Sequence, residues 1–314
     1  MESFMHSSRI FIVGSGVVGT ATGEGFRAFG HRVSFVDISP SRVRQLQARG
    51  LDASTKLDLT DEPADAVIFL TLPTPNDGLA YDLRALTEGT AAVGRALAAT
   101  DRRHTVVVRS TVPPGTTDGL VRSVLEHSSG RTEGEGFGLA ANPEFLRAAT
   151  AGEDFRNPWM TVIGSRDLRA VAQLRHLLTP YGGKLRTFSD PAEAELVKCA
   201  NNLFNATKIS FWNELWLVAR RANLDLDDIA ATVADAAEGS WNPRYGIRGG
   251  APYGGVCLPK DTRGFLGYAE EIGVEMPLLR AVVETNDRMV EVVDQEADVA
   301  VSIPFARAST PATV

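Results

Sequence analysis

The side chain best suited to nucleophilic chemistry is Cys257, in Tyr253-Gly254-Gly255-Val256-Cys257-Leu258-Pro259-Lys260-Asp261. The glycines before it let the backbone bend tightly, and Pro259 is placed as the first residue of a helix. A thiol there would face free N–H groups at a helix N-terminus, with Lys260 nearby, and both favour thiolate over thiol. The competing reading is a buried structural cysteine, the commoner fate of an isolated one. A Gly-Gly approach and a Lys-Asp pair are unusual around a core position. Cys199, by contrast, lies among apolar neighbours in mid-helix and reads as packing. Lys198, Asn202 and Asn205 fall at i, i+4 and i+7, so they share one helical face. Such a stripe is ordinarily solvated. The same helix carries Leu203, Phe204, Phe211, Trp212 and Trp216, however, which suggests burial on several sides. A buried lysine then calls for a role such as stabilising an oxyanion.

A second kind of chemistry is carried by Gly14-Ser15-Gly16-Val17-Val18-Gly19, a GxGxxG between a strand pattern and a helix pattern. Gly14 makes the tight turn, Gly16 lets the backbone approach a pyrophosphate, and Gly19 allows close helix–sheet packing. Asp37 closes the next strand, 18 residues after Gly19. A carboxylate there accepts from ribose hydroxyls and repels a 2′-phosphate, so NAD is expected rather than NADP. Glycine-rich turns are common between strands and helices, and the motif gains weight only from the strand, helix and acid that surround it. Three further segments, Leu72-Pro73-Thr74-Pro75, Arg109-Ser110-Thr111-Val112-Pro113-Pro114-Gly115 and Asn142-Pro143-Glu144-Phe145-Leu146, each follow an apolar run. In open α/β sheets ligands bind outside the carboxyl ends of strands. Ser, Thr, Asn and Pro also terminate strands with no ligand involved.

These residues need a sheet to position them. Arg9–Val13, Arg32–Asp37, Ala66–Leu72, Thr105–Ser110, Gly138–Ala141 and Met160–Gly164 read as strands, and Val17–Phe29 as a helix. Strands alternating with helices imply right-handed βαβ units and a Rossmann-type, doubly wound parallel sheet. Arg131–Gly136 reads as a surface loop. From Ala192 to about Ala222 there is neither Gly nor Pro, which predicts one long connecting helix. Helices over about Leu226–Ala237 (capped near Asp225), Pro259–Ile272 and Pro277–Val293 follow, with a Gly- and Pro-rich loop at Gly239–Val256. The expected plan is an NAD-binding domain (1–190), an all-helical second domain (191–298) for dimerisation and catalysis, and a tail (299–314).

Composition agrees with an enzyme of this plan. The chain has 314 residues, 44% hydrophobic and 23% charged, enough for about two domains. A net charge of −7 disfavours nonspecific nucleic-acid binding. The start shows no cationic leader with an apolar run, and no stretch approaches the ~18–20 apolar residues of a membrane span. Two distant cysteines fit a reducing compartment, so a cytoplasmic location is expected. The five histidines show no metal-ligand spacing, and no metal is expected.

Together and in this order, GSGVVG with Asp37, LPTP, STVPPG, NPEFL, ELVKCANN and GGVCLPKD resemble the UDP-glucose/GDP-mannose dehydrogenase family, over about Ile10 to Asp287. The resemblance implies two successive NAD-linked oxidations that take a primary alcohol to a carboxylate. By matching position it implies Cys257 as nucleophile through a thiohemiacetal and thioester. Lys198 and Asn202 would be the oxyanion-stabilising pair, Glu144 the acid/base carboxylate, and Thr111 and Asp261 the groups that position water. Gly14, Gly16, Val17, Val18, Gly19, Asp37, Thr74 and Thr111 would line the NAD site. Glu144, Phe145, Leu146, Lys198, Asn202, Arg244, Tyr253 and Gly254 would meet the substrate, and the long helix would form a homodimer. The chain departs from the family at Ala148, where a cofactor-contacting Glu is usual, and in shorter segments at Arg49–Ala66 and Arg244–Cys257.

The sequence stops after the central helices, so the family's third domain, roughly 100 residues, is expected to be missing. From that follows an expectation of a smaller substrate (a nucleoside, nucleotide or sugar phosphate), or of a sugar nucleotide gripped with help from the dimer partner. Arg244 and Arg248 offer cations for a phosphate or carboxylate. Two other function classes stay open at this level: a two-electron β-hydroxyacid-type dehydrogenase, and a noncatalytic NAD-binding module. Retention of Cys257, Lys198, Glu144 and Asp261 argues against both, and NADH formed per substrate separates all three.

Overall fold

The computed structural model of the protein describes residues 7–78, 80–247, 249–255 and 257–302. Arg248 and residues 303–314 of the expected tail lie outside the described residues. In chain order the first elements are β1 (Arg9–Val13), α1 (Val17–Ala28), β2 (Arg32–Val36), α2 (Pro40–Ala48), β3 (Asp52–Ser54) and β4 (Ala66–Leu70). A short hairpin, β5 (Asn76–Asp77) with β6 (Ala80–Tyr81), precedes α3 (Arg84–Ala98) and β7 (Thr105–Val108). A π-helical turn over Thr117–Val121 runs into α4 (Arg122–Ser129), then come β8 (Gly138–Ala141), α5 (Ala151–Arg156), β9 (Met160–Gly164), α6 (Leu168–Leu178) and β10 (Lys184–Phe188). Helices follow: α7 (Pro191–Ala222), α8 (Leu226–Ala236), α9 (Glu238–Trp241), α10 (Cys257–Glu271) and α11 (Pro277–Ser302). The chain divides into two compact units between Asn202 and Leu203, inside α7.

Among the described residues, eight strands form one sheet in the order β10-β9-β8-β7-β4-β1-β2-β3. Alternation along each strand gives it two apolar faces. Ile10, Ile12, Val67 and Phe69 enter the core cluster on one side, and Phe11, Val13, Ile68 and Leu70 the cluster on the other. From β1 the chain runs outward through β2 to β3 and then crosses back to β4 on the other side of β1, so the strand order reverses between β1 and β4, the place where open α/β sheets form a ligand crevice.

The all-parallel expectation needs one correction. β9 runs antiparallel to β8, the two meeting at a single bridge, Ala141↔Gly164, and β10 pairs parallel with β9. The reason lies in the connection. Pro143 cannot donate to the ladder and ends β8, and the segment that follows contains only short helical pieces, too little to carry the chain back across a sheet face. Strand and helix ends also move inward by one or two residues: β4 stops at Leu70, β7 at Val108, and Phe29 is the C-cap of α1. The strands β3 and β10, the β5–β6 hairpin and α9 were not anticipated, being short or polar, and the helices α2 to α6 were expected only as the helical stretches between strands, without bounds.

In the second unit, Asp225 caps α8 by accepting from the Asp227 N–H at 2.9 Å, as expected. Asn223, at φ +56°, ends α7 in the left-handed region. A small core forms around Val218, Ala269, Val274 and Met276. Glu214, buried on α7, accepts from the Leu278 and Leu279 N–H groups (2.5 and 3.0 Å) and so caps α11. That helix continues to Ser302, past the expected end near Val293 and through residues 299–302 of the expected tail. Among the described residues no helix is long and apolar enough to cross a membrane.

Candidate active site

At the crevice, the chain leaves β1 through Gly14, whose φ of +93° favours glycine. A Cβ there would sit 2.6 Å from the Thr71 carbonyl oxygen. Thr71 in turn donates its hydroxyl to the Gly14 carbonyl at 2.6 Å, locking the turn to the end of β4. A Cβ at Gly19 would collide with the Gly14 carbonyl and lie 2.6 Å from the Thr71 hydroxyl. Close packing of α1 on the turn therefore requires glycine at both positions. At Gly16 a Cβ would meet nothing within 4 Å. Gly16 is the N-cap of α1 and supplies no side-chain cap, while Val17 beside it is exposed. The first N–H groups of this helix thus face open space, the arrangement that receives a pyrophosphate.

Asp37, one residue past β2, closes this half of the crevice. Its Oδ2 accepts from the Ser15 N–H (2.9 Å) and the Ser15 hydroxyl (2.6 Å), and its Oδ1 from the Ser39 N–H (2.9 Å). Burial opposes ionisation of this carboxyl, but the bonds from Ser15 and Ser39 and the Arg42 charge outweigh it and hold its pKa below the usual value. A carboxylate offers about four acceptor sites, and three are used here, which leaves one on Oδ1 for a ribose hydroxyl. The expectation of two ribose bonds is met only if the Ser15 hydroxyl turns away. Arg42 is tied to the Ser15 carbonyl (2.9 and 2.7 Å) and the Thr20 hydroxyl (2.8 Å). The cradle and the acid fit a dinucleotide.

The other strand-end loops are fastened to one another. Thr74 donates to the Thr111 carbonyl (2.7 Å), and Ser110 to the Leu72 carbonyl (2.7 Å). Glu195 was not singled out by the sequence, although it opens the ELVKCANN run. It is buried on α7 and accepts from the Gly115 N–H (2.5 Å), the Thr117 N–H (2.8 Å) and the Thr117 hydroxyl (2.6 Å). Burial pushes its pKa up, against those hydrogen bonds. It holds the Ser110–Gly115 loop against the long helix.

The NPEFL turn leaves β8 and brings two predicted residues together. Glu144 pairs with Lys198 at 3.1 Å, with side chains 11% and 7% exposed. The ammonium also lies 5.5 Å from the centre of the Phe145 ring. Phe145 packs on Ala141, Val162 and Ala194, and the Leu146 N–H donates to Glu144. The helical stripe is therefore split: Lys198 is buried, whereas Asn202 is exposed, with its Oδ1 3.3 Å from Asn201 Nδ2, and Asn205 is exposed as well. Cys199 is partly buried and sits 3.4 Å from the Val112 carbonyl. Behind the turn a narrow cavity of about 30 Å³ is lined by Arg109, Asn142, Glu144 and Tyr181 among others. Arg109 is a second residue that sequence reasoning quoted without a role. The signal was its place directly after the apolar run Thr105–Val108.

The second unit carries the remaining predicted residues. α10 begins at Cys257 itself, two residues before the expected start at Pro259, so the exposed thiol lies in the first turn of a 15-residue helix. Lys260 ion-pairs with the adjacent Asp261, so its charge is engaged there. Gly255 takes φ +77°, the tight bend expected before the cysteine. The Tyr253 N–H donates to Asn286 on α11 at 2.7 Å, which anchors the approach to Gly254. Arg244 is exposed, and its N–H donates to the Asn242 side chain at 3.1 Å.

Comparison with known proteins places these features in context. Residues 47–181 match the NAD binding domain of the UDP-glucose/GDP-mannose dehydrogenase family, and residues 192–288 match that family's central domain. A UDP-glucose 6-dehydrogenase of Haloferax volcanii is 35% identical over 91% of this chain and 72% of its own length. A GDP-mannose 6-dehydrogenase of Pseudomonas syringae pv. tomato is 33% identical over 90% of this chain and 69% of its own. The crystal structure of a ternary complex of GDP-mannose dehydrogenase from Pseudomonas aeruginosa superposes with a TM-score of 0.86 at 30% identity, covering 94% of this chain and 71% of that one.

Proposed function

Since the chain belongs to the UDP-glucose/GDP-mannose dehydrogenase family and is an NAD-dependent dehydrogenase acting on an alcohol, we propose that it oxidises the primary alcohol of a nucleotide sugar to a carboxylate through covalent attachment to Cys257. The observation that carries this reading is the Lys198–Glu144 pair, a cation and a carboxylate withdrawn from solvent at the ends of the sheet strands. Such a pair is costly to bury, and it supplies the two functions the reaction needs: a proton acceptor and an oxyanion stabiliser.

NAD, when bound, takes up a hydride in each of the two oxidations. Gly14, Gly16, Val17, Val18 and Gly19 would hold its pyrophosphate, Asp37 would meet its adenosine ribose, and Thr74 and Thr111 would line the rest of its site. Glu144 accepts the alcohol proton as the first hydride departs, leaving an aldehyde. The Cys257 thiolate then adds to the aldehyde carbon: a C–S bond forms, and the carbonyl electron pair moves to oxygen. Lys198 and Asn202 stabilise that oxyanion. Loss of the second hydride gives a thioester. Water positioned by Thr111 and Asp261 attacks it, the C–S bond breaks, and the Cys257 thiolate returns with a carboxylate product. Phe145, Leu146, Arg244, Tyr253 and Gly254 hold the substrate. The working form on this reading is a cytoplasmic homodimer joined through α7, supported by two unpaired cysteines and by exposed apolar groups along that helix.

The test is stoichiometric. With NAD and UDP-glucose or GDP-mannose, the purified protein should yield two NADH per substrate and an acid product. Cys257→Ser should stall at the covalent stage. One NADH with an aldehyde or ketone product would favour a two-electron enzyme, and normal turnover by Cys257→Ala would sink the mechanism.

A further inference from the structure

We propose that Arg109 is a positioning residue of this reaction, which acts through Asn142 to hold the Asn142-Pro143-Glu144 turn so that the Glu144 carboxylate meets Lys198. The inference rests on the reading of Glu144 as the acid/base group.

Arg109 follows β7 and is only 6% exposed. Its Nε donates to the Thr22 hydroxyl on α1 at 2.9 Å. Its Nη1 donates to Asn142 Oδ1 at 2.6 Å and lies 3.4 Å from the Asn142 carbonyl oxygen. The guanidinium carbon sits 5.4 Å from the centre of the Phe155 ring. Among the described residues, Arg109 has no carboxylate within ion-pair distance. Glu144 is the acid whose charge acts on it, while burial pulls Arg109 down to about 10. A buried cation held only by neutral partners is poor for stability, and an apolar side chain would pack there at less cost. Its placement therefore asks for another purpose.

Asn142 supplies that purpose. Its backbone N–H donates to the Val108 carbonyl (2.8 Å), its side-chain amide donates to the Val162 carbonyl (2.7 Å), and its side-chain oxygen is held by Arg109. The residue is thus fixed to β7, to β9 and to a buried cation at once. Pro143 next removes one backbone freedom, and Glu144 follows directly. A planar, forked guanidinium reaches Thr22 and Asn142 together, which a lysine could not do. A small cavity borders Arg109, Asn142 and Glu144, so on that side the hydrogen bonds of Asn142 add to the apolar contacts of Phe145 and Leu146 in holding the turn.

The experiment compares Arg109→Gln, Glu144→Gln and the double variant, with whichever of UDP-glucose and GDP-mannose the wild type oxidises. Arg109→Gln should lower kcat by about tenfold or more and leave KM for NAD within about twofold. Because Arg109 acts through Glu144, the double variant should match Glu144→Gln within about twofold; independent, multiplying losses would overturn the proposal. Glu144→Gln impaired with Arg109→Gln unimpaired would also overturn it, leaving the Glu144 reading intact. A fully active Glu144→Gln would sink that reading and the proposal with it. Should Arg109→Gln fail to fold, Asn142→Ser removes the clamp and keeps the charge. It should reproduce the kcat loss, and wild-type kcat would count against the clamp. Hydrogen exchange needs no substrate: the Phe145 and Leu146 amides should exchange about tenfold faster without the clamp, and unchanged rates would refute it.

Discussion

Neighbouring donors set the charge of Asp37: Ser15, Ser39 and Arg42 favour its ionised form despite burial. On the proposed reading that fixed negative charge lies where a 2′-phosphate would sit. Asp37→Ser should therefore raise the NADP-to-NAD ratio of kcat/KM by about tenfold, roughly 1.4 kcal/mol. Equal use of the two cofactors by the wild type would deny the assignment. Lys198 is the second residue whose surroundings set its behaviour. Lys198→Met leaves Glu144 withdrawn from water without its cation, a loss on the order of 3 kcal/mol. A denaturant midpoint within error of the wild type would show that the pair is not buried in solution.

At the level of elements, the start of α1 and the loop after β7 are each held by one contact set. Gly19→Ala puts a methyl group against the Gly14 carbonyl, which is backbone and cannot yield, so α1 must withdraw from the turn. NAD affinity, followed by fluorescence titration, should fall by about tenfold or more, because the N–H groups of α1 then miss the pyrophosphate. Retained affinity would show that the cradle is not the cofactor site. Glu195→Ala leaves the Gly115 and Thr117 N–H groups unpaired, at a cost of about 2 kcal/mol. NAD affinity and turnover should both fall, since the loop it fastens carries Thr111, which the proposed reading places in the NAD site and beside the attacking water; unchanged values of both would show that the loop does not depend on Glu195.

The whole molecule should respond to acid and to a partner copy. His31 and His104 are buried, and each accepts at Nδ1 from a backbone N–H, of Ser8 (3.2 Å) and Ala66 (2.9 Å). Burial lowers both pKa values below the ordinary 6.5; the His176 charge adds to this for His31. Between the folded and unfolded values the unfolded chain binds more protons. Stability from these two groups is therefore full above pH 6.5 and drains as pH falls through the folded values. The urea midpoint should drop between pH 7.5 and pH 5.5, and less so in His104→Gln. Along α7, Phe204 is 68% exposed and Leu203 and Ile209 nearly as much, a larger apolar stripe than a monomer ordinarily shows water. A dimer in light scattering at micromolar concentration, dissociated by Phe204→Glu, is expected; a wild-type monomer would refute the α7 interface.

The apolar runs of β1, β4 and β7, the glycine spacing with Asp37, and the order of motifs through Cys257 were all legible from the chain. Each depends on spacing along one element, or on a turn that only certain residues adopt. The long helix was legible for the same reason: no residue from Ala192 to Ala222 interrupts it. What the tertiary structure decided depends on partners distant in sequence. The antiparallel meeting of β8 and β9 follows from how little helix separates them. The burial of Lys198, unlike Asn202 on the same stripe, comes from the NPEFL turn that covers it. Arg109 and Glu195 stood in plain view inside quoted motifs, yet their weight arises from α1, β8 and α7 closing around them. Desolvation makes a buried charge consequential, and desolvation is a property of packing, which no local pattern of residue types records.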